Sequence, residues 1–197
     1  MKKQVSRKLI AGLLAFGMVL TMPYVTLNNA WADESGIAID EANFPDAGFR
    51  AYVKSNFDKD SNSELSQSEI AGVTEINVNN SWISSLKGVE YFTALTKLYC
   101  VNNVLTSLDL SKNMALTDLD CAVNGLTGLD VSKNTALADL NCGSNQLTSL
   151  DVSKNMALTD LNCVDNQLTC LDVSKNTALE FLACSFNPLT SLDVSKN

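Results

Sequence analysis

The phrase Leu108-Asp109-Leu110-Ser111-Lys112-Asn113 returns at Leu129 to Asn134, Leu150 to Asn155, Leu171 to Asn176 and Leu192 to Asn197, each time 21 residues further on. Between these blocks runs a second phrase, Leu95-x-x-Leu98-x-Cys100-x-x-Asn103-x-Leu105, which restarts at Leu116, Leu137, Leu158 and Leu179. A degenerate earlier copy carries Val73, Ile76, Val78, Ile83 and Leu86. In-phase repetition at a period near 20 dictates a solenoid, because one such unit cannot bury its leucines alone and a stack of them can. The segment from 73 to 197 therefore reads as about six stacked coils, the last one incomplete with an open apolar edge. Within each coil the L-x-L or L-x-C portion is a short strand whose alternate side chains face inward.

The spacing L-x-x-L-x-(L/C)-x-x-N-x-L resembles the leucine-rich repeat. The resemblance implies a column of asparagines, Asn103, Asn124, Asn145, Asn166 and Asn187, that turns the corner of each coil and hydrogen-bonds the backbone of its neighbours as a ladder. A shorter period lies inside the 21: Leu116-x-x-Leu119-x-Cys121-x-x-Asn124 is followed by Leu126-x-x-Leu129-x-Val131-x-x-Asn134. This is similar to the bacterial nested-period class, with a second asparagine column at Asn113, Asn134, Asn155, Asn176 and Asn197. The inner repetition predicts two parallel sheets facing each other across a narrow leucine core. The expected fold class is a solenoid of parallel β-strands, predominantly β, of the kind the leucine-rich repeat resemblance implies, with a small α-helical cap ahead of it.

Composition narrows the function. The 197 residues contain no histidine, which removes Ser-His-Asp and Cys-His catalysis, HExxH zinc sites and imidazole pH switching. Asp118 and Asp120 offer no general acid/base pair either, because they flank one inward residue on an open face without a water-excluding pocket. The chain is read as a non-enzyme. Lys2, Lys3, Arg7 and Lys8 precede an apolar run from Leu9 to Leu20, and Ala30-Trp31-Ala32 has the small-x-small form of a cleavage site, so residues 1–32 read as a signal peptide. Its removal takes four of the 14 positive charges and none of the 22 negative ones, leaving 10 against 22 and a net charge of −12. That balance disfavours nucleic acid and anionic lipid, and no membrane insertion is expected after cleavage.

Six cysteines in an exported chain invite disulfides, but Cys100, Cys121, Cys142, Cys163 and Cys184 stand 21 apart at an inward position, which reads as a buried thiol ladder. Cys170 shares its position with Ser107, Gly128, Ser149 and Ser191 and points outward, which reads as an exposed free thiol, the alternative being an intermolecular link. On the convex side Asp109, Asp130, Asp151, Asp172 and Asp193 form a like-charged column that Lys112, Lys133, Lys154, Lys175 and Lys196 are expected to compensate.

Residues 33–72 form a separate helical cap. Phe49, Tyr52, Val53 and Phe57 fall at helical spacing behind Pro45 and Asp46, and the stretch from Asp58 to Glu69 is similar to an EF-hand loop. Asp58, Asp60 and Asn62 take the first, third and fifth positions. Glu64 offers its carbonyl, Ser66 acts directly or through water, and Glu69 is the bidentate twelfth ligand. Oxygen-only donors suit calcium. Ser63 stands where the motif has glycine, and the alternative reading of Ser66 and Glu69 is a capping box without metal. The cap, leading into the first coil through residues 84–95, looks like that of secreted leucine-rich repeat proteins of Gram-positive bacteria, and internalins place a helical EF-hand-like cap there too.

The remaining candidate surface is the concave face. Its outward columns are Lys97, Asp118, Asp139, Asp160 and Phe181, and beside them Tyr99, Asp120, Asn141, Asn162 and Ala183. An acidic, amide-rich centre flanked by aromatics suits a basic protein or a glycan. The expectation is a secreted or cell-surface binding module. The alternative is the N-terminal repeat or targeting region of a larger surface protein or enzyme.

Overall fold

The computed structural model describes residues 36–197. The signal segment at 1–32 lies outside the described residues, as do the first three residues of the cap. The order is β1 (Ile37–Ala38), α1 (Ala47–Asn56), β2 (Glu64–Leu65), α2 (Gln67–Ala71), then the sheet strands β3 (Glu75–Asn77), β4 (Lys97–Tyr99), β5 (Asp118–Asp120), β6 (Asp139–Asn141), β7 (Asp160–Asn162) and β8 (Phe181–Ala183).

Strands β3 to β8 make one parallel sheet in sequence order, and neighbouring residues of β4 to β8 pair in a register of 21. Each strand keeps three residues, with its central leucine or isoleucine turned inward. Ile76, Leu98, Leu119, Leu140 and Leu161 are buried, and the next inward position is filled by Cys100, Cys121, Cys142 and Cys163, all with no exposed surface. Cys184 is half-buried and Cys170 exposed, and all six thiols are free. The thiol ladder read from the spacing is present. Burial pushes the Cys100 and Cys163 thiols up to about 12 and those of Cys121 and Cys142 well above the ordinary value. These are packing groups and not nucleophiles.

The first asparagine column forms the ladder the repeat implies. Asn124 donates from Nδ2 to the carbonyls of Cys100 and Cys121 and accepts at Oδ1 from the Leu105 N–H at 3.0 Å. Asn145, Asn166 and Asn187 repeat that pattern one coil on. One side chain thus satisfies backbone groups on two coils that stacking hides from water.

The second sheet does not form. Among the described residues the convex segments contain no strand, and their backbone N–H groups are spent within each coil: Asn134 N bonds Val131 O, and Leu137 N bonds Asn134 O. Two successive turns replace a strand. The outer aspartates set this up, since Asp130 Oδ1 accepts from the Ser132 N–H at 2.8 Å, and Asp109, Asp151, Asp172 and Asp193 do the same two residues on. These carboxylates therefore act as turn-formers. The expected pairing with the lysine column is also corrected: among the described residues the only ion pair is Lys97 to Asp118. Coils are joined on this side by the second asparagine column, where Asn155 Nδ2 donates to Val131 O at 3.0 Å and to Asn134 O at 2.8 Å.

The cap closes the first coil. Asp46 caps α1 by accepting from Phe49 N, and its other oxygen accepts from Ser84 N and Oγ in the first coil. Phe44 packs on Phe49 and Tyr91, and Phe57 on Phe92, with ring centroids 5.2 to 5.9 Å apart. Gly88 sits at φ 104, and any Cβ there would run into the Phe44 ring. The Tyr52 hydroxyl accepts from Asn77 N at the outer edge of β3, so a cap side chain occupies an otherwise open sheet edge.

Candidate functional sites

The loop between α1 and α2 brings carboxylates together. Ligand oxygens of Asp58, Asp60 and Glu69 lie within 4.8 Å of one another. Asp58 is buried and accepts from the N–H groups of Asn62 and Ser63 at 3.0 Å. Glu69 spans the loop: Oε1 accepts from Lys59 N at 2.6 Å, and Oε2 accepts from Ser66 N and Ser66 Oγ at 2.8 Å each. The Ser66 backbone and hydroxyl bonds, followed by Lys59, hold the Glu69 carboxyl below the ordinary range. The capping box is therefore real, and it aims the carboxylate at the start of the loop. Ser63 has φ 68 and Ser61 φ 59, so a serine occupies the left-handed turn where glycine fits without strain.

Three acidic oxygens this close together could hold a hard divalent cation, which takes oxygen donors only. Asn62 is less committed than its position suggests: Oδ1 accepts from Glu64 N and Nδ2 donates to Asp60. Leu65, fully buried, pairs antiparallel with Ile37 of β1, which ties the end of the loop to the chain's own upstream segment. The open side of the loop borders a cleft of about 650 Å³ whose lining includes Asp60, Ser66, Glu69 and Glu75.

On the concave face the sheet register sets Lys97, Asp118, Asp139, Asp160 and Phe181 side by side, one per strand. The parallel column is Tyr99, Asp120, Asn141, Asn162 and Ala183. The sequence reading missed the first rung, Glu75 and Asn77, which pair with Lys97 and Tyr99. The irregular spacing of 22 from that coil to the next was the signal available. Lys97 Nζ stands 3.5 Å from Asp118 Oδ1. Burial, then the carboxylates of Asp160, Asp118 and Asp120, pushes the Asp139 carboxyl up. The second column is partly used by the fold: Asp120, Asn141 and Asn162 accept at Oδ1 from the backbone N–H two residues on. The first column is not tied to the backbone in this way, and Phe181 at its end is exposed.

No protein-family model matches the chain. Internalin J of Listeria monocytogenes serotype 4b (strain F2365) is 42% identical over 70 residues, 36% of this chain and 8% of that protein. Internalin C of Listeria monocytogenes serotype 1/2a (strain EGD / Mackaness) is 36% identical over 88 residues, 44% of this chain and 29% of that protein. The solved functional domain of InlJ from Listeria monocytogenes, described as including a cysteine ladder, matches with a TM-score of 0.76 and 43% identity over 81% of this chain and 36% of that one. The chain is an internalin-like leucine-rich repeat protein. It spans less than a third of the length of either curated relative. The internalin-like scaffold accounts for the inward thiol column and the asparagine corners.

Proposed function

We propose that this internalin-like chain is an exported, non-enzymatic binding module whose concave face recognises a protein partner with a basic surface. The observation that carries the reading is the in-register row of Asp118, Asp139 and Asp160, in which burial, and then repulsion from the neighbouring carboxylates, raises the Asp139 carboxyl. A cationic partner relieves that repulsion, and the exposed Phe181 supplies apolar contact at the end of the row. A glycan is the other ligand class the amide-bearing column suits. Among the described residues no helix is long and apolar enough to cross a membrane. The test is a pull-down from an extracellular protein extract with the wild type and a variant carrying Asp118→Asn, Asp139→Asn and Asp160→Asn. Loss of a captured band at physiological salt supports the face; identical capture by both proteins refutes it.

The cap is proposed to bind calcium through Asp58, Asp60 and Glu69, with Asn62, Ser66 and the Glu64 carbonyl completing an oxygen shell. The ion would hold the α1–α2 hand, and with it the apolar lid over the first coil. Calorimetric titration with calcium decides this: heat in the wild type that is lost in Glu69→Ala and Asp58→Ala supports the site, and an athermal wild type with an unchanged melting temperature in calcium ends it. The repeat unit also suits a role as the recognition region of a larger surface protein, since it spans 36% of the InlJ domain it resembles.

A further inference from the structure

The corner of the first coil presents an indole that the fold does not use. Trp82 is 84% exposed, belongs to no aromatic pair among the described residues and sits at φ 57, in the left-handed region where a bulky side chain is strained. Positions equivalent to it in the later coils carry Val104, Gly125, Gln146, Gln167 and Pro188. Strain at an exposed tryptophan with no packing to offset it marks a residue held for contact outside the fold. The holding is firm. The N–H groups on either side of Trp82, from Ser81 and Ile83, both donate to the buried Oδ1 of Asn103, at 3.1 and 2.9 Å. Two residues on, Ser84 is fastened to Asp46 of the cap by its N–H and its hydroxyl. The ring is thereby presented from a braced loop, and less freedom is lost when something stacks on it.

Beside the ring lies a notch of about 80 Å³ lined by Asn80, Trp82, Asn102, Asn103 and Val104. Asn102 Nδ2 donates to Asn80 Oδ1 at 2.7 Å, which leaves the Asn80 amide N–H groups and the Asn102 oxygen without a partner among the described residues. An aromatic face next to one amide donor and one amide acceptor, with no charged side chain in the lining, does not select a basic peptide. It selects a neutral ligand with an apolar face and hydroxyl or acetamido groups at its rim.

We propose that Trp82, Asn80 and Asn102 form a subsite for a neutral saccharide, whose pyranose ring stacks on the indole while one exocyclic substituent enters the notch. This site lies on the corner of the first two coils and is independent of the acidic columns of the concave sheet.

The test uses the full chain carrying Trp31→Phe, so that Trp82 is the one indole of the two in the sequence that remains. Chitotriose and cellotriose, at millimolar concentration, are titrated by indole fluorescence and by calorimetry. A saturable emission change with at least one of them supports the subsite when three further results accompany it. Trp82→Ala abolishes the heat, Asn102→Ala weakens binding by about tenfold, and the Asp118→Asn, Asp139→Asn, Asp160→Asn variant binds as the parent does. Circular dichroism checks that each variant is folded, which the exposure of Trp82 leads us to expect. Absence of a response to both sugars overturns the proposal. Binding that survives Trp82→Ala, or a response only to neutral phosphatidylcholine vesicles, overturns it as well.

Discussion

The two asparagine columns perform different work, and a matched pair of substitutions separates them. Asn166 donates to Cys142 O at 3.0 Å and Cys163 O at 3.2 Å, and its Oδ1 accepts from the buried Leu147 N at 2.9 Å. Asn155, in an adjacent stretch of the stack, donates to two carbonyls at 3.0 and 2.8 Å, but its buried Oδ1 has no partner among the described residues. Asn166→Ala strands a buried N–H at a cost of about 1–3 kcal/mol and forfeits two donor bonds of about 0.5–1.5 kcal/mol each. The expected loss is about 3 kcal/mol, a large share of a domain's stability, or roughly 6–12 °C in melting temperature at this chain length. Asn155→Ala forfeits a similar pair of donor bonds, yet it also removes an oxygen whose burial without a partner costs about 1–3 kcal/mol. Its net loss should be about 1 kcal/mol or less. Both variants delete the same side-chain atoms, so cavity terms largely cancel. Urea unfolding followed by far-UV circular dichroism, with slopes matched to the wild type, measures the difference. Equal losses, or a greater loss in Asn155→Ala, would refute the assignment of separate roles.

Other consequences follow from the same coils. Val123 is a β-branched residue at φ 56 where the neighbouring coil has Asn102 at φ 54. Val123→Asn should stabilise the protein by about 1 kcal/mol, seen as a melting temperature higher by about 2–4 °C, and an unchanged or lower value contradicts the strain. Under native conditions at mildly alkaline pH, a thiol reagent should label Cys170 promptly and Cys184 slowly, and the other four thiols only after unfolding. Prompt native labelling of Cys121 or Cys142, detected by peptide mapping, would contradict the buried ladder. The convex aspartates and Asp139 should respond oppositely to pH. At Asp109, Asp151, Asp172 and Asp193 the backbone N–H of the serine two residues on, then its hydroxyl, lowers the carboxyl below the ordinary range, and at Asp130 the hydroxyl leads. A folded value below the unfolded one contributes stability that is present above the ordinary carboxylate range and lost as pH falls through the lowered value. Asp139 is raised, so Asp139→Asn should stabilise above its titration and lose that advantage as pH falls. Melting curves across acid pH, at low and high salt, check both signs.

What was legible in the sequence, and what was not, comes down to which interactions leave a trace in residue type. Burial does. The inward set Leu98, Leu119, Leu140 and Leu161, and the thiols behind it, were readable because an inward position tolerates few residues and the 21-residue period repeats each choice. The asparagine corners were readable for the same reason. The convex side misled because leucine spacing records only which side chains point in. A strand and a pair of tight turns both bury Leu126 and Val131, so the two give the same apolar pattern over that stretch. What separates them is where the backbone N–H groups go, and the trace of that was the aspartate two residues before each serine, which looked like surface charge.

The cap loop shows the converse. The spacing of Asp58, Asp60 and Glu69 was plain in the residues, while the strand that pairs with Leu65 was not: it is Ile37–Ala38, a two-residue segment with no pattern of its own. Trp82 was invisible as a site because its column continues as Val104, Gly125, Gln146, Gln167 and Pro188, with no recurring residue type against which it could stand out, until the structure shows a strained, braced and exposed ring. In a repeat protein the core is written in what recurs. The proposed recognition surfaces lie on what surrounds that core: the concave column runs Glu75, Lys97, Asp118, Asp139, Asp160 and Phe181, and Trp82 stands exposed at the first corner.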